Sequence, residues 1–294
     1  MKAIQVEDDP DNSLAWGEAP RPRYGDDEVL VEVQATAVNR ADLLQRRGMY
    51  PPPEGASEIL GLEISGHVAE AGPQVDGWEL GDRVCALLPG GGYAEYAAVP
   101  AGMLLEVPAS VDLTEAAGLP EVFYTAYLNI RLEAEQSPGD LVLVHAGASG
   151  VGTAAIQICK LFDSPVYATA SRPKLGFLEQ LGVEVAIDRK NEDFVEVLER
   201  HTDGRGVDII LDPVAGDYLP RDIRTLGHGG RLVVIGLLGG TSGELPVARL
   251  LTERLRVIGS VLRSRSIEEK LELTASFRRE VWPHFETGEL EPII

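Results

Sequence analysis

The sequence predicts an α/β protein of two domains: an antiparallel, barrel-like domain followed by a doubly wound parallel sheet. Three observations predict it. The length of 294 residues is more than one ordinary domain needs and less than three would take. The first 110 residues read as short β-branched segments punctuated by Gly, Pro and Asp. Beyond residue 112, apolar runs alternate with amphipathic ones, the pattern of parallel strands covered by helices on both faces.

In the first part, strands are expected at 28–38, 59–72, 82–88 and 93–99, separated by PRPRYGDD, GPQVDGWELGD and LPGGG. The best helical stretch there is NRADLLQRR at 39–47. TEAAGLPEVFYTAYLNIRL then reads as a helix with Thr114 as a possible N-cap. Strand candidates follow at 141–146, 165–170, 183–187, 207–212, 231–236 and 256–262. Helix-like stretches at 150–162, 173–182, 191–202 and 216–227 lie between the first five. Six such strands match a nucleotide-binding sheet. Residues 290–294 read as the start of one more strand.

Composition narrows the function classes. Hydrophobic residues at 44% and charged residues at 25% suit an ordinary globular core. No apolar run is long enough to span a membrane, and MKAIQVEDDP lacks the basic start and apolar stretch of a signal peptide, so a cytoplasmic protein is expected. Cys85 and Cys159 supply neither a disulfide framework nor a four-cysteine zinc site, and both sit among apolar neighbours as small buried hydrophobes would. The formal charge of −21 disfavours nucleic acid and anionic membranes as partners. It suits a salty cytoplasm that screens self-repulsion, and so a halophilic source.

The strongest local signal is LVLVHAGASGVGTAAIQICKL at 141–161. A strand ends at Ala146, Gly147, Gly150 and Gly152 follow, and a helix runs on. In this G-x-S-G-x-G pattern Ser149 occupies the second glycine position, and the backbone amides at the helix start can face a pyrophosphate. The next strand discriminates between nicotinamide cofactors. NAD sites place a carboxylate at its end for the ribose 2′-hydroxyl, whereas VYATASRPK offers Ser171, Arg172 and Lys174 and no acid. A hydroxyl and two cations favour a 2′-phosphate, hence NADPH. For Arg172 or Lys174 alone, solvation of a helix surface is an alternative.

Asn39-Arg40-Ala41-Asp42, then Gly48-Met49-Tyr50 and three prolines, mark a short helix and a rigid turn. A phenol held there can hydrogen-bond a carbonyl or give a proton to a developing enolate; it can equally be a tyrosine packed on its prolines.

The runs NRADLLQRRGMYPPPEGAS, ILGLEISGHVAEAG, GDRVCALLPGGGYAEY, HAGASGVGTAAIQ and GLLGG with LRSRS, in this order, cover almost the whole chain. With them the chain resembles the quinone oxidoreductase (zeta-crystallin-like) branch of the medium-chain dehydrogenase/reductase superfamily. Within that branch it most resembles the subgroup of the tumour-suppressor-inducible animal enzyme. The resemblance implies a GroES-like β-barrel catalytic domain at about 1–113, joined by 264–294, and a Rossmann domain at about 114–263.

It also implies roles. Asn39 and Tyr50 match positions lining the nicotinamide and substrate pocket, with Tyr50 the catalytic one, and Thr125 matches a position near the nicotinamide. Ser149, Gly150, Val151 and Gly152 match the pyrophosphate loop, and Ser171 and Lys174 the 2′-phosphate contacts. Gly236, Leu237 and Leu238 match the strand-end loop beside the nicotinamide ribose, and Arg189 stands where the family has a tyrosine near the 2′-phosphate. Zinc alcohol dehydrogenases carry G-H-E where this chain has Gly61-Leu62-Glu63, and leucine cannot ligate a metal. The five histidines, 67, 145, 201, 228 and 284, show no ligand spacing either.

The implied activity is NADPH-dependent, zinc-free hydride transfer to a quinone in a homodimer. The alternatives are an α,β-unsaturated aldehyde, ketone or enoyl thioester as acceptor, or a non-catalytic NADPH-binding protein. Members of the branch continue through a further helix and a final strand, so a chain cut short relative to them is expected.

Overall fold

Side-chain alternation builds the first sheet. In strand β3, Glu28–Ala35, the segment Val29–Val31 is buried while Glu32 and Gln34 face solvent. A computed structural model describes all of residues 1–294, and the chain divides into two units, Met1–Glu121 with Arg263–Ile294, and Val122–Leu262.

The first unit opens with the hairpin β1, Lys2–Val6, and β2, Leu14–Glu18. After β3 come helix α1, Arg40–Arg46, and strands β4 (Glu63–Ala71), β5 (Arg83–Leu87), β6 (Tyr96–Pro100) and β7 (Leu104–Glu106). The order β6-β3-β4-β5-β7 makes a five-stranded antiparallel sheet. Register shifts between β3 and β4 curl it, as bulges do. Its core gathers Val29, Val31, Ile64, Val84, Val99 and Leu104, all at most 1% exposed. Helix α2, Leu113–Ala116, and the start of α3, Pro120–Tyr127, close this run.

The second unit carries β8 (Val142–Val144), α4 (Gly150–Leu161), β9 (Val166–Ala170), α5 (Leu175–Leu181), β10 (Val185–Asp188), α6 (Phe194–His201) and β11 (Val207–Asp212). It continues with α7 (Leu219–Thr225), β12 (Leu226–Val234), α8 (Val247–Glu253) and β13 (Arg256–Gly259). The order β10-β9-β8-β11-β12-β13 is parallel throughout, a doubly wound Rossmann sheet that reverses direction of winding between β8 and β11. All five residues of β9 are buried, as a strand covered on both faces requires. The chain then returns to the first unit through α9 (Ile267–Glu280) and α10 (Pro283–Thr287). There Arg278 Nη2 donates to Leu104 O at 2.6 Å and Trp282 Nε1 to Glu106 O at 2.8 Å.

Several sequence expectations change. The N-cap of α2 is Asp112, whose carboxylate accepts from Thr114 N at 2.7 Å; an ionised acceptor outcompetes the threonine hydroxyl. The long helix expected from 114 breaks at Gly118, and Leu128–Glu133 widens into a π-helical turn. Strand β13 ends at Gly259 rather than 262, and β12 begins at Leu226, absorbing glycines that read as the end of a helix. Residues 290–294 form no strand: Gly288, at φ 75°, stops α10, and Leu290 is buried as an irregular segment. The hairpin β1–β2 and strand β7 escape prediction because they are short and only partly apolar.

Candidate active site

In the second unit, the loop from β8 to α4 matches the glycine reading. Ser149 is the N-cap of α4, its Oγ accepting from Gly152 N at 3.1 Å, while Ser149 O accepts from Thr153 N at 2.8 Å. That leaves the amides of Gly150 and Val151, in the first turn, for an external acceptor. A Cβ on Gly152 would stand 2.5 Å from Ala146 O, and one on Gly147 would stand 2.8 Å from the Ala168 Cβ, so both glycines let helix and strand close up behind the loop. These features fit a dinucleotide pyrophosphate.

Beside the loop, β9 runs into Ser171, with Arg172 and Lys174 exposed on the following turn. Lys174 Nζ lies 3.5 Å from Ala148 O, against the loop itself. Arg189 is exposed and its amide donates to Ala170 O at 3.0 Å, which holds it next to the end of β9. Asp188, which pairs with Ala170 at the end of β10, is engaged by Asn191 Nδ2 at 2.6 Å and Lys190 N at 3.1 Å. Those bonds, with Arg172 nearby, hold it below the usual carboxylate range. Ser171, Arg172, Lys174 and Arg189 therefore share one strand-end neighbourhood.

Past β12, Gly236 approaches Pro213 so closely that a Cβ would meet its carbonyl at 2.8 Å, and Leu238 N donates to the same oxygen at 3.2 Å. Leu237 and Leu238 are exposed. Thr125 sits on α3, its carbonyl accepting from Asn129 Nδ2 at 2.7 Å. Val122, at the head of that helix, would meet a Cβ on Gly150 at 2.9 Å.

Beneath the loop runs a polar chain that the sequence does not reveal. Asp222 Oδ1 lies 2.9 Å from His145 Nε2, His145 Nδ1 lies 3.0 Å from Thr169 Oγ1, and Ala146 N donates to that oxygen at 3.3 Å. His145 and Asp222 are at most 1% exposed. Burial pushes Asp222 up to about 6, against the pull of His145 and aided by Asp212. Above that pH the ionised carboxylate only accepts, so Nε2 donates to it, while Thr169 Oγ1 accepts from Ala146 N. Ala146 has φ 52°, a strained setting for a residue with a side chain, and this chain helps to hold it.

The first unit gathers a second cluster. Glu63, 1% exposed, accepts from Asn39 Nδ2 at 2.7 Å and from Glu121 N at 2.9 Å. Asp42, 2% exposed, accepts from Asn39 N at 2.7 Å, Gly61 N at 3.1 Å and Tyr93 Oη at 3.1 Å. Tyr50 is half-buried and its ring lies 5.1 Å from the Arg263 guanidinium carbon. Arg263, 6% exposed, donates to Tyr50 O at 3.3 Å, Gln45 Oε1 at 2.6 Å and Pro89 O at 2.8 Å. Lys270 Nζ in turn donates to Arg263 O at 2.8 Å.

Desolvation raises the carboxyls here: Glu63 to about 7, despite its hydrogen bonds, and Glu121 to about 8, with Glu63 and Asp42 adding to the rise. Burial likewise raises the Tyr50 phenol. Asn39 is thus tied to Glu63 and the Glu121 backbone, and Tyr50 to Arg263. Glu63 carries a usable sequence signal, an acid between Leu62 and Ile64 inside an apolar strand. Glu121 reads as an ordinary first-turn acid, and Arg263 lies 213 residues from Tyr50.

No group of three His, Cys, Asp or Glu side chains has ligand geometry for a metal, and Leu62 is 1% exposed at the position of the zinc-ligand histidine. The residues here do not fit a zinc ion.

The chain is similar to several known proteins. A family model described as alcohol dehydrogenase GroES-like domain matches residues 25–109, and one described as zinc-binding dehydrogenase matches 150–276. A phenolphthiocerol/phthiocerol polyketide synthase from Mycobacterium tuberculosis is 36% identical over 226 residues, 76% of this chain. The match spans only 10% of that synthase's length. Among solved structures, CurK enoyl reductase superposes with a TM-score of 0.88 at 27% identity, covering 100% of this chain and 90% of that one. A quinone oxidoreductase from Pseudomonas syringae pv. tomato superposes at 0.87 with 26% identity, covering 99% and 90%.

Proposed function

Since this chain belongs to the medium-chain dehydrogenase/reductase superfamily, we propose that it is an NADPH-dependent reductase that passes hydride to a quinone without zinc. The observation that carries the cofactor reading is the strand end of β9, where Ser171, Arg172 and Lys174 stand beside the glycine loop and no free carboxylate does. Gly147, Ser149, Gly150, Val151 and Gly152 hold the pyrophosphate; Ser171, Arg172, Lys174 and Arg189 hold the 2′-phosphate. Thr125, Gly236, Leu237 and Leu238 serve the nicotinamide end. When bound, the reduced nicotinamide supplies a hydride.

Tyr50 orients the acceptor by hydrogen-bonding its carbonyl oxygen, and Asn39, fixed by Glu63, shapes the pocket beside it. A quinone suits a site lacking a Lewis acid, because the charge arriving with hydride delocalises over a conjugated system. The likeness to the Pseudomonas quinone oxidoreductase supports this acceptor. A second reading, an α,β-unsaturated carbonyl compound, is favoured by the likeness to CurK enoyl reductase and to the polyketide synthase. The exposed edge of β13, with Val257 42% exposed, supports pairing with a second copy as a homodimer.

Steady-state oxidation of NADPH and NADH with para- and ortho-quinones and a 2-alkenal tests both readings. Preference for NADPH and for the quinones is expected; faster turnover of the alkenal favours the second reading. Lys174→Ala is expected to weaken NADPH roughly 10-fold or more, the worth of one charge-assisted hydrogen bond, and to leave NADH nearly unchanged. Equal losses for both nucleotides would remove Lys174 from the phosphate site.

A further inference from the structure

Glu121 stands out in the first unit's cluster because nothing there satisfies its carboxyl. Its amide is tied to Glu63 Oε2 at 2.9 Å, which fixes the backbone, yet its own carboxyl oxygens accept no hydrogen bond from the protein. The residue is only partly exposed. Glu63 from β4 is in direct contact through that amide, and Asp42 from α1, Arg263 after β13, Lys270 from α9 and Tyr50 are within electrostatic reach.

The two glutamates are therefore unequal. Glu63 receives two hydrogen bonds, from Asn39 Nδ2 and Glu121 N, and both stabilise its ionised form. Glu121 receives none and faces that charge, so of the pair it holds the proton. A neutral carboxylic acid without a protein acceptor, one residue removed from Asn39 through Glu63 and within electrostatic reach of Tyr50, is placed to give its proton to something bound there. Tyr50 is less suited to the task, since burial makes its phenol a weaker acid still.

We propose that Glu121 donates the proton that completes the reduction, with Glu63 as its positioning residue. The inference rests on the reductase reading above. The acceptor gains hydride at a ring or β-carbon, electrons move through the conjugated system, and the oxygen or α-carbon that receives them takes the proton as the Glu121 O–H bond breaks. The carboxylate left behind is offset by Arg263 and Lys270, and its partial exposure lets solvent return the proton before the next turnover. Tyr50 keeps the role of holding the carbonyl.

The test is turnover of NADPH with the best quinone or enone, followed from about pH 6 to about pH 9, for wild type, Glu121→Gln, Glu121→Asp, Glu63→Gln and Tyr50→Phe. Wild-type turnover is expected to fall as pH rises through about 8, as the donor loses its proton. Glu121→Gln should lose roughly 100-fold in turnover and with it this alkaline limb, while NADPH binding, read by nucleotide fluorescence, stays intact. Glu121→Asp should retain the limb at reduced rate. Glu63→Gln removes the facing charge and should move the limb to lower pH; Tyr50→Phe should slow the reaction but leave the limb in place. An unchanged rate and limb in Glu121→Gln would overturn the assignment, as would loss of the limb in Tyr50→Phe alone. A wild type that oxidises no NADPH with any acceptor would take the reductase reading down as well. Infrared spectroscopy gives a readout free of substrate: between pH about 7 and about 8, where Glu63 has largely ionised, wild type should show a protonated-carboxyl carbonyl band that is markedly weaker in Glu121→Gln. Its absence from wild type would overturn the proposal.

Discussion

Asp222→Ala is expected to destabilise the protein by about 2–5 kcal/mol and to loosen its grip on the dinucleotide. The carboxylate is fully buried and its Oδ1 is the partner of His145 Nε2 at 2.9 Å. Removing it strands a buried ring nitrogen and leaves a cavity where the side chain stood. It also leaves His145 without the acceptor that fixes its ring against Thr169. The far end of that chain is Ala146 N, at the strained entry to the phosphate loop. Asp222→Asn should cost far less, because its oxygen still accepts from Nε2 while the charge opposed to Asp212 is gone. A paired His145→Phe and Asp222→Leu replacement should recover stability without recovering nucleotide affinity, since apolar packing can replace a buried polar pair but cannot orient Thr169. Denaturant midpoints and nucleotide titrations on the same samples separate these effects. Equal damage from the alanine and asparagine variants would show that the carboxylate's charge, and neither its volume nor its acceptor oxygen alone, is what this site requires.

The second large effect is a loss of stability with rising pH. Glu63 is 1% exposed and has a folded-state value of about 7 against an ordinary 4.5, and Glu121 has about 8. Both are raised, so the folded protein holds these protons more tightly than the unfolded chain does. Their contribution is fully present below pH about 4.5 and disappears as pH climbs through about 7 and then about 8. For Glu63 this amounts to roughly 3 kcal/mol; partial exposure makes the share of Glu121 smaller than its value alone suggests. Wild type in fixed salt should therefore weaken steadily from mildly acidic to alkaline pH. The Glu63→Gln, Glu121→Gln double variant should show little slope over this range and be the more stable protein at its alkaline end. Urea melts across the pH range check this, and a wild-type curve as flat as the variant's would contradict the burial account of the cluster.

What is legible in the sequence follows from range. The glycine loop, the six parallel strands and the cationic turn after β9 are each encoded within a few dozen consecutive residues, by periodicity, by Gly where a Cβ would collide, and by the kind of charge at a strand end. Thr114 falls one short step from the true cap, because Asp112 two positions earlier is the stronger acceptor. Glu63, Glu121, Arg263 and the Asp222–His145–Thr169 chain are not legible as a site. Their partners lie 58, 213 and 77 residues apart, and each side chain taken alone fits an ordinary role. Only the folded neighbourhood turns Glu121 from a helix-start acid into a carboxyl without a partner.

The central claim is that a glycine turn and the cations beside it hold a phosphorylated dinucleotide, and direct titration with NADPH and NADH tests it without reference to any acceptor. Saturable binding is expected for both, with NADPH tighter by roughly 10-fold or more and its advantage shrinking as salt screens the 2′-phosphate. No saturable NADPH signal from folded protein, or NADH bound as tightly at low salt, would contradict the account.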